Sequence, residues 1–170
     1  ATAPPDPLAR AAFFFVAGQF AVARTELDAA LRQQPGDAAA LALYARVEAM
    51  AGVAGAAQSR IDAALKAAPQ NAVVLMTQGV VRETVGDDDG ARGWYEKAVN
   101  ADPSLVEARL LLGNVAMRNG KPGQAAEQYR QLTRLEPDKG EHYARLVAAL
   151  TADGHCETAL RDVNAALVEH

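Results

Sequence analysis

Residues 106–139 read VEARLLLGNVAMRNGKPGQAAEQYRQLTRLEPDK, and this stretch holds in one copy a pattern that the whole chain repeats. Its Gly120, Ala125 and Pro137 recur at a step of 34 residues. The glycines stand at Gly18, Gly52, Gly86, Gly120 and Gly154, and the alanines at Ala23, Ala57, Ala91, Ala125 and Ala159. The prolines follow at Pro35, Pro69, Pro103 and Pro137. Three residue types held to one period cannot come from composition. A period of this length, with small residues inside and proline at its end, predicts a solenoid of helix-turn-helix units. The 170 residues equal five such periods, so the expected organisation over 1–170 is one continuous array.

With the recurring proline set at repeat position 32, the repeats span 4–37, 38–71, 72–105, 106–139 and 140–170. Position 15 is always glycine, where a tight turn between two helices needs unrestricted φ. Position 20 is always alanine, which marks the place where the paired helices cross. Position 24 is bulky, as Leu27, Ile61, Tyr95, Tyr129 and Val163, while position 8 is small in Ala11, Ala45, Gly79 and Gly113 and becomes Val147 in the last repeat. Asp6-Pro7 reads as an N-cap followed by proline at the first helical position. The spacing predicts first helices over 7–17, 39–51, 73–85, 107–119 and 141–153. Second helices are expected over 20–33, 54–67, 88–101, 122–135 and 156–168. Half the residues are hydrophobic, enough for a continuous core, but only 5% are aromatic, so that core should be thin and closely spaced.

Leu112-Gly113, Gly120, Ala125, Tyr129 and Pro137, with their counterparts along essentially the whole chain, resemble the tetratricopeptide repeat family. The family's frequent tryptophan at position 4 is replaced by Leu41, Leu75, Arg109 and Tyr143. The resemblance implies an all-α, right-handed superhelical solenoid whose first helices line a concave groove. It also implies a non-catalytic scaffold or adaptor that binds another protein or peptide, in settings such as bacterial envelope assembly, secretion or pilus biogenesis. Projected onto this chain, the groove positions include Leu8 and Phe15 in repeat one, Leu43, Arg46 and Met50 in repeat two, and Met76 and Val80 in repeat three. Repeat four adds Leu110, Asn114, Met117 and Arg118, and repeat five Arg145. All three methionines of the chain are among them, and methionine is over-used on surfaces that accept apolar partners. The expected ligand is therefore an amphipathic helix or an extended apolar segment, oriented by Arg46, Asn114, Arg118 and Arg145. Relatives that hold chaperone tails clamp a terminal carboxylate with lysine, asparagine and arginine on the first three first helices. Here Leu8, Ala12, Leu43, Val73 and Thr77 take those places, and none can pair with a carboxylate.

The two ends suggest a different kind of contact. All four phenylalanines, Phe13, Phe14, Phe15 and Phe20, lie in the first repeat, and the last helix should leave Leu160, Val163 and Leu167 partly uncovered. Alternatives to the adaptor reading are thus a structural or self-associating module of a longer protein, or a regulatory domain of an enzyme whose catalytic part is absent here.

Net charge is −4 with both signs interleaved, and no basic stripe exists of the kind nucleic-acid binding requires. The most apolar stretch, 10–24, is broken by Gly18-Gln19 and is too short to span a bilayer. The expectation is a soluble chain of a bacterial periplasm or cytoplasm, with no cofactor. Cys156 is the only cysteine, and it stands with His155 and His142 without the further convergent ligands that a metal site needs. Asp87-Asp88-Asp89-Gly90 lacks the ligand ladder of a calcium loop and reads as helix capping. No nucleophile elbow or phosphate-cradling glycine loop occurs, so no catalytic residues are expected.

Overall fold

In the computed structural model, residues 6–158 and Arg161 are described. Nine helices lie among the described residues, with no strand. They are α1 (Pro7–Val16), α2 (Phe20–Gln33), α3 (Ala38–Met50), α4 (Ala54–Ala67), α5 (Ala72–Thr84), α6 (Asp88–Ala101), α7 (Val106–Arg118), α8 (Pro122–Leu135) and α9 (Gly140–Ala152). Residues 1–101 form one compact unit, holding α1 to α6, and residues 102–170 a second, holding α7 to α9. Leu160, Val163 and Leu167, expected to be end contacts, lie outside the described residues, as does most of the expected helix over 156–168.

The 34-residue ruler has two local causes. Each first helix ends in a glycine at positive φ, between +67° and +81°, a region other residues rarely adopt. At Gly52 the amide donates to the Ala49 carbonyl at 3.0 Å while Val53 N–H reaches back to Glu48 at 2.9 Å. This is a Schellman closure, which satisfies carbonyls that the helix end would otherwise leave open. Each of α2, α4, α6 and α8 is followed by a tight turn with proline at its second place. Asp37 N–H donates to Gln34 O at 3.1 Å across Pro35, and Asn71, Leu105 and Lys139 repeat the bond across the later prolines at 3.2 Å.

Among the described residues the second helices α2, α4, α6 and α8 begin and end where the spacing placed them, but four of the first helices start and stop one residue earlier than expected. At α3 and α5 the reason is capping. Asp37 and Asn71 stay extended and accept from the amides two and three residues on, so the helix begins directly after them. At the other end, the residue before each turn glycine already has ψ near zero.

Packing within each unit follows the small-residue pattern. Ala23, Ala57, Ala91 and Ala125 are fully buried, and no larger side chain would fit where they stand. In the first unit, Ala11, Leu27, Tyr44 and Val47 form one core cluster, and Ala45, Ile61, Val74 and Val81 another. In the second unit, Tyr129, Leu132, Leu146 and Leu150 do the same with α8 and α9. Each fully buried aliphatic side chain contributes roughly 1.5–3 kcal/mol relative to an exposed one.

Candidate interaction surface

In the first unit α3 packs against both α1 and α5, so the first helices share one face. Ala39, Leu43, Arg46 and Met50 follow one another on α3 at steps of three or four residues, which puts them on a single stripe. Val73, Thr77, Val80 and Thr84 do the same on α5. Between the stripes lies a cleft of about 180 Å3, lined by Leu43, Arg46, Val73 and Thr77 together with Ala39, Asn71 and Val74. Met50 is 58% exposed and Val73 44% exposed, while Leu43 and Val80 are half-buried.

Met76 departs from the expectation. It is 1% exposed and belongs to the interior rather than to the open face. One residue along a helix is a turn of about 100°, and that carries Met76 from the stripe of Val73, Thr77 and Val80 into the buried side. Ala42, at the same repeat position on α3, is buried too. Thr77 forms part of the cleft but is itself fully buried, its hydroxyl donating to the Val73 carbonyl at 2.8 Å.

In repeat one, Leu8 and Phe15 are half-buried against the core, and the Arg46 guanidinium lies 5.1 Å from the centre of the Phe15 ring. This cation–π contact fixes a positive charge on that part of the face. The phenylalanine run divides: Phe14 packs inward, whereas Phe13 is 41% exposed and Val16, at the helix end, 86%.

The second unit has its own cleft of about 390 Å3, lined by Asn114, Met117, Arg118, Tyr129, Arg145 and Ala148. Leu110 and Met117 are half-buried against its core. Asn114 Oδ1 accepts from the Tyr129 hydroxyl at 2.9 Å and from Arg145 at 3.4 Å. Arg145 also grips Glu141 at 2.5 Å, and this bond holds the Glu141 carboxyl below its ordinary range. Burial pushes the Tyr129 phenol up, so it remains the proton donor in this network. Arg145 is thus anchored by its own chain, with its remaining edge toward the cleft.

Glu48 gave no signal in the spacing. Its carboxylate is buried on α3, with the Arg60 guanidinium 3.9 Å away and one oxygen without a hydrogen-bond partner. Burial pushes this carboxyl up, and the charges of Arg60 and Arg24 oppose that shift. Around it Arg60 stacks 4.1 Å from the centre of the Tyr44 ring, and Tyr44 donates to Asp28 at 3.0 Å. Repeat position 11 carries Phe14, Arg82, Ala116 and Leu150 in the other repeats, so a charge there did not by itself mark Glu48. Glu26 is likewise drawn into an inter-helix pair with Arg10 at 2.7 Å.

Asp87 accepts from Gly90 N–H at 2.9 Å and so caps α6. His142 is buried, its Nε2 2.7 Å from Glu136. Among the described residues no group of three His, Cys, Asp or Glu side chains is placed to hold a metal ion, and no helix is long and apolar enough to cross a membrane.

These features define an all-helical repeat protein made of stacked hairpins, with side-chain-lined clefts on open helix faces. Sequence models described as tetratricopeptide repeat match residues 8–53 and 51–105, and a second such model matches residues 86–150. The chain belongs to the tetratricopeptide repeat family, whose domains bind proteins. Among solved structures it is similar to MamA, with 17% identity, a TM-score of 0.71 and 92% of each chain covered. It also resembles a thermophilic repeat protein of Thermus thermophilus, with 22% identity, a TM-score of 0.75, and 95% of this chain and 88% of that one covered. A third is pilF of Pseudomonas aeruginosa, with 22% identity, a TM-score of 0.77, and 91% of this chain and 71% of that one covered. At these identities the likeness is one of fold. No curated protein matches the sequence.

Proposed function

We propose that the chain is a non-catalytic adaptor that holds an amphipathic or apolar segment of another protein on the face shared by α3 and α5. The observation that carries this reading is the open cleft between Leu43 and Val73, flanked by the exposed thioether of Met50 and bordered by a single fixed cation, Arg46. Such a surface gains free energy by covering apolar side chains, while the guanidinium sets which way the segment lies. In the second unit, Met117, Asn114, Arg118 and Arg145 offer the same mixture of one apolar group and several donors. We assign the adaptor to a bacterial assembly or secretion complex, and the likeness of fold to bacterial repeat proteins supports that setting.

The test is a Leu43→Glu, Val73→Glu variant, whose two charges lie on half-open and open positions of the cleft. Proteins that co-purify with the wild-type chain from its native source should be lost from the variant, with helical circular dichroism unchanged. Retention of the same proteins by the variant would assign binding elsewhere. Self-association through the exposed end of α1 is a second reading, favoured by Phe13 and Val16.

A further inference from the structure

The first unit has a second cleft that shares no residue with the α3–α5 face. It encloses about 600 Å3, within the range of small-ligand and side-chain pockets. Leu65, Pro69, Leu75 and the indole of Trp94 form its apolar wall, and Gln70, Lys97 and Asn100 its polar rim.

Trp94 is the only tryptophan of the chain and stands at repeat position 23. The other described repeats carry Glu26, Arg60 and Gln128 at that position, and each is closed onto a neighbouring helix. Glu26 pairs with Arg10 at 2.7 Å, Arg60 covers the Tyr44 ring beside Glu48, and Gln128 accepts from Arg109 at 3.2 Å. Trp94 breaks this rule. Its indole N–H has no hydrogen-bond partner among the described residues, and the ring is half-buried beside an open space. A large amphipathic aromatic placed where its repeat partners are polar and engaged is the usual mark of a contact residue.

The rim specifies the occupant. The carboxamides of Gln70 and Asn100 each offer a donor and an acceptor, and the indole adds a donor, which matches the exposed backbone of an extended chain. A helical ligand has already satisfied its own backbone and would leave these groups unmatched. Lys97 holds its ammonium 3.9 Å from the centre of the Trp94 ring and makes no ion pair with a described carboxylate, so its charge is complementary to an acid. We propose that this cleft is a separate peptide site, which takes an extended segment with a proline or aliphatic residue against the Trp94 indole and an acidic residue next to it at Lys97. Proline suits the wall because a pre-extended chain loses little entropy on docking.

A single tryptophan gives one indole N–H resonance, which reports on this cleft directly. The probe is the capped peptide acetyl-Leu-Pro-Pro-Asp-Glu-amide, compared with its neutral twin acetyl-Leu-Pro-Pro-Asn-Gln-amide. The acidic peptide should shift the indole resonance of the full chain saturably, and the twin should bind about tenfold more weakly, one charge-assisted contact being lost. Lys97→Gln should remove that difference. Trp94→Gln, which copies the residue found in repeat four, should abolish binding by calorimetry with the helical spectrum retained. The Leu43→Glu, Val73→Glu variant should bind the peptide as the wild type does, so failure here and failure of the α3–α5 face are distinguishable. An indole resonance unmoved by millimolar acidic peptide, or equal affinity for the two peptides, overturns the proposal.

Discussion

Gly79 and Gly113 have no side chain because a tyrosine ring already fills the space. A β-carbon on Gly113 would lie 2.5 Å from a ring carbon of Tyr129, and one on Gly79 would run into the Tyr95 ring in the same way. Where position 24 carries a smaller group, as Leu27 and Ile61 do, position 8 is alanine. The two positions therefore share one fixed volume. Gly79→Ala gains roughly 1 kcal/mol of helix propensity, but Tyr95 is fully buried and its hydroxyl is tied to Glu83 at 2.6 Å, so the ring cannot retreat. Overpacking of about 1–3 kcal/mol should win. In urea unfolding the single variant should lose about 1 kcal/mol, and Gly79→Ala with Tyr95→Ile, the pair found in repeat two, should recover most of it. Simple additivity of the two changes would show that the positions do not share space. This coupling could be read from the aligned repeats, since small faced large in the first four of them. The burial of Met76 could not, because a 100° step separates a groove residue from a core residue and both places accept methionine.

At the scale of the helix, ends matter more than middles. The five glycine closures depend on one residue adopting positive φ, and the glycine spacing announced them. The starts of the first helices are less uniform. Asp6, Asp37 and Asn71 cap α1, α3 and α5 with side-chain oxygens, whereas α7 and α9 begin after Leu105 and Lys139, which make no such bond. Lys139 also sets a positive charge at a helix N-terminus, where the backbone dipole disfavours it. Lys139→Asn should therefore stabilise the chain by about 1 kcal/mol, raising the midpoint of denaturant unfolding with no change in slope. Asn71→Ala should lower it by a similar amount. An unmoved midpoint in the Lys139 variant would mean that α9 does not limit the measured transition. The one-residue shift of the first helices against their expected bounds has the same origin, because an N-cap lies outside its helix while its carbonyl already accepts the first bond.

For the whole molecule, the question is whether the exposed end of α1 meets a second copy. Phe13 and Val16 stand open there, with no charge on either, and a two-fold contact would cover each of them twice. Burying such side chains is worth roughly 1.5–3 kcal/mol apiece. Sedimentation of the wild-type chain should then show reversible dimers that Phe13→Ser with Val16→Ser dissociates, and a wild type that stays monomeric at every concentration would remove this reading. A net charge of only −4 offers little repulsion to oppose such a contact. The amino-acid order by itself determined the period, the alternation of helix and turn, and the fully buried alanines, since each rests on a local requirement: a left-handed glycine, a proline in a turn, a side chain small enough for a helix crossing. Tertiary structure decided which side of each helix remains open. It buried Met76 and left Met50 outside, drew Glu48 into the interior beside Arg60, and set Trp94 in the wall of a cleft where its counterparts are closed onto neighbouring helices. Those outcomes depend on what the neighbouring helix brings to the same point in space, and one repeat template read along a chain holds no record of that neighbour.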